Sequence, residues 1–350
     1  MKIRLILILI SSLYSLCSFA QDPRFSQFYA SPLQLNPAMN GVFEGSVRLT
    51  ANYRELYSSI LAKDAFRTLA AGVELRNRVG KSNDYYSLSF SALRDEVGIA
   101  NFNRHQGHLG AAYLKQLDGS RYRNSDQFLV AGAQIGAGQR SFEWNTLWFS
   151  SQFNTDLARV DFGSPSGEDF SSRETDLYLD FNAGILWYAV LDKNASIYAG
   201  AAMHHLNQPN VSFVESASEI LHSRWVAHAG GEIPFTQQLS LMPAVAVMGQ
   251  HKGMSTSLGA NLRYTNRDWR EVAIRAGAWA HIANKLDQGT LLDAIAVTTM
   301  LEMDRMIVGI SYDVTTSVLS TANNARGAFE LSLTYVQPAK TRFRVNCPRF

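Results

Sequence analysis

From residue 46 onward the chain repeats one pattern: segments of about ten residues in which apolar and polar positions alternate, separated by turn residues. Between Thr256 and Tyr264 one row reads Thr256, Leu258, Ala260, Leu262 and Tyr264, and the other Ser257, Gly259, Asn261 and Arg263. From Leu177 to Trp187 the row Leu177, Leu179, Phe181, Ala183, Ile185, Trp187 faces away from Tyr178, Asp180, Asn182, Gly184 and Leu186. Near the end, Phe329, Leu331, Leu333 and Tyr335 stand against Ala328, Glu330, Ser332 and Thr334. A side-chain period of two marks strands whose two faces meet different surroundings.

Soluble sheets also alternate, so the placing of charge decides between them. Glu74, Asp180, Arg263, Arg275, Asp313 and Glu330 all fall opposite the Leu, Val and Phe row. A charge on a lipid-facing row at mid-bilayer costs about 2–4 kcal/mol. The oily row is therefore expected to touch hydrocarbon, and the charged row to line an enclosed interior. Segments of this kind fall near 46–54, 66–76, 85–93, 107–117, 127–137, 176–188, 195–205, 224–233, 239–248, 256–264, 270–280, 291–301, 305–314 and 326–336. The expected fold class is all-β: a transmembrane antiparallel outer-membrane β-barrel of about 14 strands, closed because an open edge cannot face lipid.

The connections alternate in length. Those at 192–194, 234–238, 265–269 and 302–304 are tight, while 94–106, 139–175, 206–223, 281–290 and 315–325 are longer; 250–255 fits least well. Outer-membrane barrels keep short turns in the periplasm and long loops outside, which puts both termini on the periplasmic side. The same register predicts two aromatic girdles, one from Trp187, Tyr188, Tyr264, Trp269 and Tyr335, the other from Trp225, Trp279 and Tyr312.

The first residues fit export. Lys2 and Arg4 precede an apolar run from Leu5 to Leu16, and Ser18-Phe19-Ala20 provides a small-x-small cleavage site, so 1–20 reads as a signal peptide. Leu16 before Cys17 argues against a lipid-attachment site. Beyond the leader no stretch approaches the roughly 18 apolar residues of a spanning helix. The expected division is then a 21–45 periplasmic or lumen-plug segment, a 46–336 barrel and a 337–350 periplasmic tail.

Composition narrows the chemistry. The net charge is +2 and the basic residues are scattered, which disfavours nucleic acid as a partner. Cys347 is the single cysteine left after the leader, so the mature chain has no intrachain disulfide or Cys-based zinc site. His204 and His205 are strand neighbours, expected on opposite faces, while His108, His228 and His281 lie on separate segments; no metal, cofactor or catalytic residue is expected. Gly-x-Ser-x-Gly, Walker-type and His-Glu-x-x-His motifs do not occur, and Ser196 has no evident histidine partner for a hydrolase.

The residues ahead of the first strand are distinctive: Gln21-Asp22-Pro23-Arg24-Phe25-Ser26-Gln27, then Ser31-Pro32-Leu33-Gln34-Leu35-Asn36-Pro37-Ala38 and Gly41, followed by Asn52-Tyr53-Arg54-Glu55. With Tyr198-Ala199-Gly200-Ala201, His228-Ala229-Gly230, Ser311-Tyr312-Asp313, Glu330 to Tyr335 and the terminal Cys347-Pro348-Arg349-Phe350, this resembles the PorP/SprF family of type IX secretion outer-membrane proteins of Bacteroidetes. Leu56-Tyr57 and Gly327-Ala328-Phe329-Glu330 depart from the family pattern, which bears on subtype. The resemblance implies a role in type IX secretion, gliding motility or cell-surface anchoring of adhesins. The implied partners are secreted proteins with sorting C-terminal domains, other type IX components and outer-membrane lipid.

The Pro-interrupted 21–45 segment is too broken for a membrane strand and too apolar for a free tail. Packing in the lumen and a plain periplasmic leader are both open readings. The loop 139–175 carries Trp144, Trp148, Phe149, Phe153, Phe162 and Phe170, which is either a partner surface or a loop folded into its own lumen. The competing reading is a passive or ligand-gated channel similar to fatty-acid transporters, which would need a connected apolar lumen.

Overall fold

The computed structural model describes residues 22–119, 125–167, 174–192, 194–214, 217–266, 272–285, 289–338 and 347–350. The signal-peptide residues, Trp269 and Phe170 lie outside them. Sixteen strands are described: β1 (Val47–Leu56), β2 (Phe66–Arg78), β3 (Tyr85–Val97), β4 (Phe102–Gly119), β5 (Asp126–Ser141), β6 (Phe153–Asn154), β7 (Arg159–Val160), β8 (Tyr178–Asp192), β9 (Ala195–His204), β10 (Arg224–Pro234), β11 (Leu239–Gln250), β12 (Gly253–Thr265), β13 (Val272–Asn284), β14 (Thr290–Met303), β15 (Met306–Thr315) and β16 (Arg326–Gln337).

All but β6 and β7 join one antiparallel barrel of fourteen strands, closed where β1 pairs with β16 from Val47↔Gln337 to Leu56↔Ala328. Closure leaves no unpaired edge to hydrocarbon. The two rows separate as alternation requires. Leu69, Phe90, Leu109, Leu179, Ile185, Leu262, Val297 and Leu331 are exposed on the outer wall, while Glu74, Asp180, Arg275, Asp313 and Glu330 are buried inside. No described helix is long and apolar enough to cross a membrane.

The short-turn rim holds the connections 79–84, 235–238 and 304–305 and residue 194, together with the start of β1 and the end of β16. The long-loop rim holds 57–65, the described residues of 142–177 and 205–223, and 316–325. Two connections expected to be long are short, because β3 and β4 pair out to Val97↔Phe102 and β13 with β14 out to Asn284↔Thr290. Pairing there outruns the oily pattern, because the outward residues near that rim, such as Arg94 and His105, are polar. The 251–252 link between β11 and β12 is tighter still.

Two girdle assignments are corrected. Trp279 and Tyr188 are fully buried inside the barrel, where Trp279 packs on Phe28 and Tyr29 with ring centroids 5.3 and 5.1 Å apart and Tyr188 stacks on Phe128 at 5.2 Å. Each shares the parity of an inward charge on its own strand, Arg275 or Asp180. Trp225, Tyr264 and Tyr312 are exposed on the outer wall.

Candidate functional site

The lumen is filled by the chain's own residues 22–45. Gln27, Asn36, Ala38, Met39 and Val42 are wholly buried there. The segment cannot form a strand, since Pro32 and Pro37 each open a single helical turn, Pro32–Leu35 and Pro37–Met39. Asn36 caps the second turn by accepting the Ala38 N–H at 2.8 Å. Its own amide donates to the Ile185 carbonyl at 3.0 Å and faces His228 Nε2 at 3.0 Å. Gly132, Gly184 and Gly200, on β5, β8 and β9, leave the room for this turn: a Cβ on Gly132 would strike the Pro37 carbonyl, and one on Gly184 the Asn36 side chain.

Inward charges of the strands hold this plug by its backbone. Glu330 on β16 accepts the Ser26 and Gln27 N–H groups at 2.7 and 2.9 Å. Asp313 accepts the Ser26 hydroxyl at 2.6 Å and pairs with Arg54 at 3.2 Å. Glu74 on β2 accepts the Gly41 N–H at 3.0 Å, at a backbone φ of +84° that only glycine adopts freely. Glu74 also takes a forked pair from Arg48, whose Nη atoms reach the Val42 and Met39 carbonyls at 3.1 Å. Buried carboxylates matched this way to N–H donors and guanidinium are charge-assisted and specific.

The plug spans the barrel lengthwise. It joins β1 at the short-turn rim, while Asp22 lies toward the long-loop rim, bonded to Arg104 Nη1 at 2.6 Å and His205 Nε2 at 2.6 Å. His205 also meets Asp180 through Nδ1 at 2.8 Å, and Asp180 faces His108 at 2.8 Å. The expectation that His204 and His205 point apart is corrected: His205 lies one residue past β9 with φ 56°, which breaks the alternation, and both rings are buried inside. Among the described residues no group of three or more His, Cys, Asp or Glu is arranged to hold a metal.

Burial alone would raise the Asp22 carboxyl, but Arg104, His205 and Arg224 hold it well below the ordinary carboxylate range. Burial alone would lower the His205 imidazole, and Asp22 with Asp180 raises it above its ordinary value. A raised histidine contributes stability that is complete below its unfolded value of about 6.5 and is lost as pH climbs through the folded value. A depressed aspartate contributes above about 3.9 and loses its share as pH falls through the folded value. Plug anchoring is thus expected to weaken on the alkaline side. Urea midpoints measured against pH should fall there in the wild type and stay flat in H205Q; equal slopes would refute the assignment.

The end of the chain returns to the same interior. Phe350 packs on Tyr198 with centroids 4.8 Å apart, and Arg349 pairs with Glu232 at 3.1 Å. Cys347 is buried beside Arg76 Nη1 at 3.2 Å and the Tyr188 hydroxyl at 3.8 Å, and burial pushes its thiol up. Maleimide labelling of the folded barrel near neutral pH is expected to be slower than that of the urea-unfolded chain by roughly tenfold or more. Equal rates would show that the tail does not dock.

Of the motif residues singled out in the sequence, Asp22, Pro23, Phe25, Ser26, Gln27, Pro32, Asn36, Pro37, Gly41 and Arg54 meet inside the barrel. Tyr53 does not; it sits on the outer wall beside Glu55 and Arg67. The partners Arg48 and Arg104 were not singled out, although strand parity marks both as inward, and His205 was noted in the sequence without its partner Asp22.

The described part of the aromatic loop turns several of its rings outward rather than into the lumen. Phe153 opens the β6–β7 hairpin, and Trp148, Phe153, Leu157 and Phe162 are exposed, Phe162 to 64%. Trp144 and Phe149 are half-buried against one another, with centroids 5.5 Å apart.

A closed barrel with an oily outer wall and an ionised, filled interior defines an integral outer-membrane protein. The chain belongs to the PorP/SprF family of type IX secretion system membrane proteins, whose family model matches residues 17–335. Solved barrels with a similar strand arrangement include the toluene transporter TbuX of Ralstonia pickettii, at 13% identity with TM-score 0.44, covering 90% of this chain and 95% of that one. CdiB from Escherichia coli gives 9% identity and TM-score 0.44 over 82% of this chain and 63% of that one. The KdgM porin gives 6% and 0.37 over 82% and 98%. No curated protein matches the chain.

Proposed function

We propose that this protein is a plugged docking platform of the type IX secretion system, which binds secreted proteins such as adhesins at the long-loop rim and helps to secrete or anchor them. In this reading the short-turn rim faces the periplasm and the long loops face outward. The observation that carries it is the exposed aromatic surface of Trp148, Phe153, Leu157 and Phe162, raised above a lumen already filled by residues 22–45. Exposed aromatics clustered on a loop suit a partner interface, where such residues dominate binding. A channel reading asks for a connected apolar path, and the lumen is instead crossed by paired charges such as Arg48–Glu74 and Arg104–Asp22.

The test pairs two measurements. Deleting the gene should move one or more large secreted proteins from the cell surface to the medium. Restoring it with Trp148, Phe153 and Phe162 changed to Ser should leave the barrel folded but weaken cargo pull-down by on the order of thirtyfold, the effect of losing about 2 kcal/mol of hot-spot contact. Unchanged pull-down would remove the loop from the interface.

A further inference from the structure

Above the plug, at the long-loop rim, lies a cavity of about 470 Å³, within the size range of ligand sites. Its wall includes a row of lumen-facing residues set side by side by strand register: Arg54 opposite Thr68, Thr68 opposite Asp95, Asp95 opposite Arg104, and Arg104 opposite Arg140. Three cations of this cavity have carboxylate partners: Arg24 with Asp293 at 2.8 Å, Arg54 with Asp313 at 3.2 Å and Arg104 with Asp22 at 2.6 Å.

Arg140 differs. Its residue is 7% exposed, yet among the described residues no carboxylate lies within 4.0 Å of its guanidinium, and its Nε–H has no acceptor. Outside the strand ladder, and among the described residues, the hydrogen bonds of Arg140 are made by its backbone, to Thr175. Among the described residues the Arg104 Nε–H beside it has no acceptor either. Asp95 does not complete the pair: its carboxylate accepts the Thr68 hydroxyl at 2.6 Å and forms no ion pair with either arginine. Two like charges opposite each other on adjacent strands are unfavourable, and buried N–H groups without acceptors cost more. One anion placed between the two guanidinium groups would relieve both.

We infer that Arg140 and Arg104 form a seat for a carboxylate group that enters the cavity from the long-loop rim. The planar fork of arginine suits a two-oxygen anion. Phe66, Val97, Phe102 and Met254 on the same cavity give the rest of the ligand an apolar wall. The carboxylate belongs to an acidic peptide or to a small free carboxylic acid, and these two sources are separable.

The experiment uses the full-length barrel in detergent micelles, with calorimetric titration of three probes: an acetylated aspartate dipeptide amide, its asparagine counterpart, and glutarate. The aspartate peptide should bind at least tenfold more tightly than the asparagine one, since hydrogen bonds to charged groups are lost in the latter. R140Q should lose about tenfold and R140K should recover part of it, while K285Q on the rim should bind as the wild type does. Retained heat-modifiable mobility on gels shows that each variant is folded. Aspartate peptide binding without glutarate binding assigns the seat to a peptide, and tight glutarate binding that depends on Arg140 assigns it to a small acid. Absence of binding by all probes, or folded R140Q binding like the wild type, overturns the proposal.

Discussion

Replacing Glu74 with Ala is expected to destabilise the folded barrel by about 3–5 kcal/mol, the cost of leaving a buried charge without its partner. Glu74 has no exposed surface and joins three pieces of structure, because it binds Arg48 of β1 through both oxygens and the Gly41 N–H of the plug. Without it, Arg48 stays buried, held by the Val42 and Met39 carbonyls but lacking a counter-charge. Urea unfolding of the barrel in liposomes would report the loss. E74Q separates charge from shape, since it keeps the volume and one acceptor oxygen, and should fall between the two. A shift below 1 kcal/mol for E74A would mean that water reaches this pair and that the plug is looser than described.

The second large effect concerns the glycines beneath the Asn36-Pro37 turn. Valine at both Gly132 and Gly184 places side-chain carbons where the Pro37 carbonyl and the Asn36 amide now sit. Overpacking costs about 1–3 kcal/mol per site, and valine is otherwise at home in a strand. The barrel should persist, keeping its heat-modifiable mobility, while the plug is displaced. Single-channel recording in planar bilayers should then show a rise from closed to conducting, and trypsin should cut after Arg24. A double variant that stays closed and protected at Arg24 would mean that the turn can shift sideways within the lumen.

Most of the barrel was legible because lipid on one side and ionised groups on the other impose a period of two, and the confinement of charge to one row separates it from the alternation of a soluble sheet. All fourteen expected segments overlap barrel strands, from 46–54 on β1 to 326–336 on β16. The legibility ends where the lipid ends. Around Arg94, His105 and Gln139 the outward positions turn polar, the contrast between rows vanishes, and the pairing that continues there leaves no trace in the alternation. Trp279 and Tyr188 were misplaced for a different reason. Residue type suggested a girdle, although counting in twos from Arg275 and Asp180 puts both inside.

The interior was only half legible. Parity marked Glu74, Asp180, Asp313 and Glu330 as inward, and the Asp22-to-Gly41 stretch stood out by its prolines. Nothing local joins the two. Asp22 meets a residue 82 positions away and Ser26 one 304 positions away, so their matching is a property of the closed wall. Carboxylates and guanidinium groups set apart in sequence say that partners exist, while the register of the strands says which ones meet. The aromatic loop was legible only as two alternatives, a surface or a lumen-filling fold, and the exposure of Trp148, Phe153 and Phe162 favours the first.

The bidentate grip of Glu330 on the Ser26 and Gln27 amides ties the order of assembly to topology. Glu330 belongs to the final strand, which zips against the first, so the seam and the leader it clasps come together in one late, long-range event. Until that zipper runs, the sheet has two unpaired edge strands, and Glu330 lacks the amide donors that it holds in the closed barrel.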